Sequence, residues 1–431
     1  MVEMKPIKIG MLGLGTVGSG VVRIIEGHQE DLQRRVGSPI QIEKICVRNI
    51  GKARNVTVDR AKLTEDPYEL INNPDIDIIV EVMGGVEHTR RYVLDALENG
   101  KHVVTANKDL MALHGVEILS KAAEKGCEVL YEASVAGGIP ILRTLVEGFS
   151  SDRITKIMGI VNGTTNYILS KMSKEGVSYE AALKEAMELG YAEADPSSDV
   201  EGMDAAYKMT ILGRLGFHTE VSIEDVEVTG ITNVSPEDIL YGKRLGYEVK
   251  LLGIAERRDD SIHLSVQPAM VSVRHPLASV SGVFNAVYVY GEAVGETMFY
   301  GPGAGEMPTA TSVVADVVAI GKNLNRGVKG VRATSFHHKK KLTSDDEIAY
   351  KNFLRLHVPD RAGVLARITQ IFAECEISLE SVLQQPNGNV SEAEIMIITH
   401  QASKAHMKRV LERFAELDVV YAVKSVYRVE G

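Results

Sequence analysis

At 431 residues, 45% hydrophobic and 25% charged, the chain is too long for one core and is expected to form three domains within the usual span of about 100 to 200 residues each. Its 48 basic against 58 acidic residues leave a net charge of −10, which disfavours nucleic-acid binding, a function that relies on excess lysine and arginine to neutralise phosphates. Three scattered cysteines (Cys46, Cys127, Cys375) offer neither a disulfide framework nor metal-ligand spacing, and neither a signal-peptide pattern nor an apolar run of roughly 18 residues is found, so a cytoplasmic protein without membrane contact is expected.

The first third alternates short β-rich runs at 7–12, 40–47, 77–82 and 102–105 with helical stretches such as 89–99, where Gly100 supplies a C-terminal stop. That alternation predicts an α/β fold with a Rossmann-type doubly wound sheet over 1–131, whose ligands bind at the carboxyl ends of the strands. The pattern changes near residue 132, with a glycine-rich turn at 136–140, an Asn-Gly-Thr-Thr segment from Asn162 and a long helix at 179–189. Alternating runs at 262–266 and 286–290 predict an antiparallel sheet, hence an α+β second domain over 132–305. The apolar stretch 309–323 reads as a helix returning near 306–325 to the first domain. A charged stretch at 332–347 reads as a solvated linker within 326–350, because its basic cluster is followed at once by acids. Residues 352–429 read strand, helix, strand, strand, helix, strand, which places a further unit at 351–431.

Gly13-Leu14-Gly15-Thr16-Val17-Gly18 follows the apolar strand at 7–12 and opens a helix that buries Val21, Val22, Ile24 and Ile25. In that context the glycines allow a tight turn and close backbone approach to a pyrophosphate, and the helix N-terminus supplies amide donors and a favourable dipole. The second strand ends in Arg48-Asn49, with Lys52 and Arg54 close behind, where an NAD enzyme usually carries an acid against the ribose 2′-hydroxyl. A cation suits a 2′-phosphate better, so NADP is preferred and NAD remains possible.

From Gly190 to Lys208 the chain holds Glu193, Asp199, Asp204 and Lys208, with Pro196 and Gly202 shaping a loop and Asp204 and Lys208 four apart on one helical face. By spacing alone that pair is better read as an exposed ion pair worth about 0.3 to 0.5 kcal/mol. The run 186–208, however, resembles the homoserine dehydrogenase signature. The same family is matched in order by 75–85 (DIDIIVEVMGG), 103–108 (VVTANK), 131–140 (YEASVAGGIP), 161–169 (VNGTTNYIL) and 301–311, so the resemblance spans residues 5 to about 325. It implies reversible reduction of aspartate 4-semialdehyde to homoserine, with Lys208 giving a proton to the carbonyl oxygen, Asp204 orienting it and Lys108 lining the junction of nicotinamide and substrate. It further implies Glu193 on the substrate ammonium with Asp199, Asn162, Gly163 and Thr164 nearby. Gly303, Gly305 and Glu306 match the stretch that returns to the cofactor. Glu132, Val135, Gly137 and Ile139 match a loop for a monovalent cation (Na+ or K+), although a purely structural turn also fits.

The strand, turn and helix of 354–365, followed by 377–383 and 394–399, resemble an ACT domain, a ferredoxin-like module that binds small amino acids. Threonine is the effector this implies; a dimerisation module without a ligand is the alternative, and a homodimer or homotetramer is expected. A rival aldehyde-oxidising chemistry through a thiohemiacetal needs a reactive cysteine, and Cys127 has no activating cation or helix start beside it. A ligand-sensing regulatory protein on the same scaffold is the alternative from another class, and NADPH consumption with the semialdehyde discriminates the two.

Overall fold

The structure is a computed structural model in which residues 5–328, 336, 338–386 and 391–431 are described. The chain divides into two compact units, one of Met1–Ile157, Tyr207–Glu224 and Asn285–Lys340, the other of Met158–Ala206, Asp225–Phe284 and Lys341–Gly431.

The first unit holds a six-stranded sheet in the order β3-β2-β1-β4-β5-β6, with β1 Ile7–Leu12, β2 Ile40–Cys46, β3 Leu63–Thr64, β4 Ile78–Glu81, β5 His102–Thr105 and β6 Val129–Leu130. All neighbours pair in parallel, and the order reverses direction between β1 and β4, which opens a crevice at the carboxyl ends of those strands. β1 and β4 are buried on both faces, as a strand between helical layers must be, which is why they read as continuous apolar runs. The helix expected at 89–99 runs Glu87–Glu98, and Gly100 follows in the left-handed region at φ +73°. The return helix spans Glu306–Asn325 and packs along the Thr16–Gly27 helix. Gly20 makes that approach possible, because a Cβ there would lie 2.7 Å from the Glu306 carbonyl oxygen. Val313, Val317 and Ile320 are fully buried in the same core, each contributing about 1.5–3 kcal/mol.

In the second unit, Tyr247–Arg258 and Ser261–Ser272 form a long antiparallel hairpin. The last strand of the chain, Ala422–Glu430, adds in parallel to Ser261–Ser272 and antiparallel to Ala349–Pro359, which pairs in turn with Glu392–Thr399 and through it Leu379–Pro386. The C-terminal module therefore shares one sheet with the hairpin. Its helices Val364–Glu374 and Lys404–Ala415 cover a core containing Ile368, Phe372, Ile395 and Phe414, with the two phenylalanine rings edge to face at 5.4 Å. The predicted order of elements is present, with a two-residue strand Ala402–Ser403 added.

Of the stretch read as a linker, residues 329–335 and 337 lie outside the described residues. The part that follows is not a freely solvated hinge. The Ile262 amide bonds to the Lys341 carbonyl at 2.9 Å, the Thr343 amide returns to the Ile262 carbonyl at 3.0 Å, and Thr343 and Ile348 are buried. Composition registers the charges of this stretch but not the backbone pairing that ties it down.

Candidate active site

A cleft of about 840 Å³ lies at the carboxyl ends of β1, β2 and β4, lined by Gly13, Gly15, Thr16, Arg48, Lys52 and Glu306 among others. That volume is within the range of cofactor sites. Gly13 has φ +108°, and a Cβ there would meet the Val82 carbonyl oxygen at 2.7 Å; a Cβ on Gly18 would meet the Gly13 carbonyl oxygen at 2.6 Å. Gly15 faces open space at the N-cap of the Thr16–Gly27 helix, which has no side-chain cap and no acid in its first turn. Leu14 is buried and Val17 packs on the core, so the loop offers backbone amides to a ligand. Arg48 and Lys52 are exposed at the rim. Arg54, by contrast, donates to the carbonyls of Ile50, Lys52 and Asn49 at 3.2, 2.8 and 2.5 Å, so it staples its own loop. Glu306 follows Gly305, whose φ is +127°, and pairs with Arg23 at 2.5 Å; this neutralises an acid that would otherwise repel a phosphate.

At the tips of β4 and β5 the expected Lys108 is joined by Glu81, Thr105 and Asn107, for which no role was anticipated. Glu81 is fully buried; one carboxylate oxygen accepts the Met83 and Gly84 amides at 2.9 and 3.2 Å, and the other accepts the Thr105 hydroxyl at 2.5 Å. Burial raises its pKa. Asn107 caps the Lys108–Lys125 helix through the Leu110 amide at 3.0 Å and donates to the Gly85 carbonyl at 2.7 Å. Lys108, half-buried, therefore leaves the sheet from a fixed helix start, with its ammonium 3.7 Å from Asp109. The sequence signals for this arrangement are a lone acid ending an apolar strand inside the 75–85 motif and the 103–108 motif that carries Thr105, Asn107 and Lys108.

In the second unit the amide of Asn162 joins two of the expected carboxylates. Its nitrogen donates to Asp199 at 2.7 Å and to Asp204 at 2.8 Å, while its oxygen accepts the Thr165 amide at 2.8 Å and so caps the Gly163–Glu175 helix. Gly163 is required there, since a Cβ would lie 2.8 Å from the Val283 carbonyl oxygen. Thr164 donates to the Tyr191 carbonyl at 2.7 Å. Asp199 sits in a short turn of helix, Ser197–Val200, rather than on an extended loop, and Glu193 is exposed. Asp204 is buried near the start of the Met203–Phe217 helix, in which Lys208, half-buried, lies one turn further on.

The turn read as a cation loop has two consecutive left-handed residues, Ala136 at φ +55° and Gly137 at φ +48°. A Cβ on Gly137 would lie 2.3 Å from the Gly303 carbonyl oxygen, and Gly303 itself abuts the Asn285 side chain, so two expected segments interlock through glycine. The Ile139 amide closes the turn on the Ala136 carbonyl at 2.9 Å, and Val135 and Ile139 are buried. The buried Glu132 carboxylate accepts the Leu142 and Arg143 amides at 2.7 and 2.8 Å, and its own amide donates to Asp316 at 2.8 Å. Burial raises the Glu132 pKa and pushes that of Asp316, which pairs with Arg143 at 2.5 Å, up to about 7. Cysteine chemistry is disfavoured: burial raises the Cys127 thiol, and burial with nearby acids pushes Cys46 up to about 11.

Among the described residues no helix is long and apolar enough to cross a membrane. The chain matches the NAD-binding domain of homoserine dehydrogenase over residues 13–132, the homoserine dehydrogenase domain over 140–318 and the ACT domain over 353–419. It is 56% identical over 429 residues to homoserine dehydrogenase of Bacillus subtilis, covering 99% of each chain, and 43% identical to that of Mycobacterium tuberculosis, covering 100% of this chain and 99% of the other. Its fold matches the crystal structure of a homoserine dehydrogenase from Thiobacillus denitrificans with a TM-score of 0.92 at 40% identity, covering 99% of this chain and 98% of that one. A hyperthermophilic archaeal homoserine dehydrogenase in complex with NADPH matches 74% of this chain and 98% of its own, with a TM-score of 0.62 at 29% identity. With a doubly wound sheet bearing a glycine-loop cleft, an amide-bridged pair of carboxylates leading to a lysine, and a C-terminal ACT domain, the chain belongs to the homoserine dehydrogenase family of nicotinamide-dependent oxidoreductases acting on a CH–OH group.

Proposed function

We propose that the chain interconverts aspartate 4-semialdehyde and homoserine in the cytoplasm with a preference for NADP, using Lys208 as the proton donor and Asp204 to orient it. The observation that carries this reading is the Asn162 amide held between Asp199 and Asp204, one helical turn before Lys208. The two carboxylates and Glu193 offer negative charge to the substrate ammonium, and Asn162, Gly163 and Thr164 start the helix beside them. The bound nicotinamide supplies the hydride. Residues 13–18 would hold its pyrophosphate, Arg48 would meet the 2′-phosphate, the turn from Gly303 to Glu306 would line the cofactor site, and Lys108 would flank the nicotinamide. As the carbonyl is reduced, the Lys208 ammonium gives its proton to the developing alkoxide, and in oxidation the amine takes it back.

The turn of Glu132, Val135, Gly137 and Ile139 would take a Na+ or K+ ion, as its match to the family's cation loop implies, because a carboxylate and backbone carbonyls are the hard oxygen donors such an ion prefers. The C-terminal module binds threonine as effector, and the working form is a homodimer or homotetramer.

Lys208→Met tests the assignment. It is expected to lower kcat by about 10² to 10⁴ with NADPH binding intact, the typical worth of a positioned general acid. Turnover at the wild-type rate overturns it.

A further inference from the structure

We propose that Asp238 is a positioning residue through which the C-terminal module acts on the Asn162 cluster; the proposal rests on the reading of that cluster as the substrate site. Asp238 lies in the first turn of the Pro236–Arg244 helix, where it completes a capping box with Ser235, and it is 1% exposed. Two strands of the C-terminal module bond it directly, and a third reaches it through Arg355. Arg355 donates from Nε to Asp238 at 2.8 Å and from its other nitrogens to Glu394 at 3.1 Å and the Ser235 hydroxyl at 3.0 Å. Ser425 and Tyr427 donate their hydroxyls to the two Asp238 oxygens at 2.6 and 2.9 Å. Burial and the facing carboxylate push the Tyr427 phenol upward, so it remains a donor throughout the working pH range.

A buried ion pair of this kind carries a desolvation cost that an apolar pair would not, so its main consequence is geometric. It permits one seating of the helix on the sheet. From that helix Lys243 donates to the Ser173 carbonyl, and the Ser173 hydroxyl bonds Glu248 at 2.6 Å. Ser173 belongs to the Gly163–Glu175 helix, which is capped by Asn162 and packs against the Ser197–Val200 turn that carries Asp199. A shift of the module's strands thus has a continuous rigid route, two helices long, to the amide that spaces the carboxylates.

The test uses the full-length chain with Ser425→Ala and Tyr427→Phe combined, which removes two donors and leaves the Arg355–Asp238 pair. KM for homoserine and kcat are measured with and without threonine, and melting curves verify folding. The expected result is a KM raised about twofold to thirtyfold, the range of coupling through packed networks, with kcat little changed and any threonine response diminished. Ser425→Thr alone, which keeps both hydroxyls, is expected to retain the wild-type KM. Folded variants with wild-type KM and wild-type threonine response overturn the proposal. A wild-type chain indifferent to threonine rejects only the effector assignment, because KM in the double variant still decides the coupling. Wild-type kinetics for Asn162→Asp reject the site reading instead.

Discussion

Replacing Asn162 by aspartate separates the two roles of one side chain. An aspartate oxygen accepts the Thr165 amide as well as the asparagine oxygen does, so the helix cap, worth about 1 kcal/mol, survives. The two N–H donors to Asp199 and Asp204, at 2.7 and 2.8 Å, are lost, and a third carboxylate enters a corner that already holds two. A hydrogen bond to a charged group is worth about 1.5–3 kcal/mol. If one of the two bonds contributes in the transition state, kcat/KM for homoserine falls about 10- to 150-fold, at 1.4 kcal/mol per factor of ten. NADPH formation measures the rate and urea unfolding the stability. Asn162→Ala loses both roles and is expected to unfold at lower urea than wild type, its missing cap costing about 1 kcal/mol. An Asn162→Asp enzyme with wild-type kcat/KM would refute the view that this amide organises the substrate carboxylates.

Gly13→Ala places a Cβ against the immovable Val82 carbonyl at a φ of +108°, so NADPH affinity, read by fluorescence titration, is expected to collapse, with about 1–3 kcal/mol of stability lost; undiminished binding contradicts the loop assignment. Removing Arg48 and Lys52 together is expected to lower the NADPH-to-NADH ratio of kcat/KM tenfold or more, about the worth of one charge-assisted bond, and an unchanged ratio assigns the 2′-phosphate elsewhere. Lys250 is buried, and desolvation lowers its pKa to about 8 from 10.5 in spite of its bond to the Val280 carbonyl. Between those values the unfolded chain keeps the proton that the folded chain has released, so stability gains with pH over that window. Relative to Lys250→Met, the wild type should therefore gain on the order of 3 kcal/mol from neutral pH to about pH 10.5, and a flat difference in urea midpoints rejects the buried charge.

Residues that meet their partners close in sequence were legible beforehand. The glycine loop, the strand before it and the helix after it form within 21 residues, from Ile7 to Gly27, so local φ requirements and apolar periodicity suffice to read them. Asp204 and Lys208 share a helix, and their spacing is visible in any window. Arg54 misleads by the same logic: it is another cation after β2, yet its guanidinium is taken up by three carbonyls of its own loop, an outcome set by the loop's folded path.

The sequence by itself determined the local conformations, the order of the elements and, through its motif resemblance, the chemistry to look for, because those depend on contacts within a few residues or on residue type alone. Tertiary structure decided which distant groups meet. Glu81 is held by Thr105 across neighbouring strands, Asn162 reaches Asp199 and Asp204 from 37 and 42 positions away, and Asp238 is bound by Arg355 over a separation of 117. Each is a polar group whose burial is tolerable only with partners, and no periodicity encodes partners so remote; they become visible once packing has excluded water.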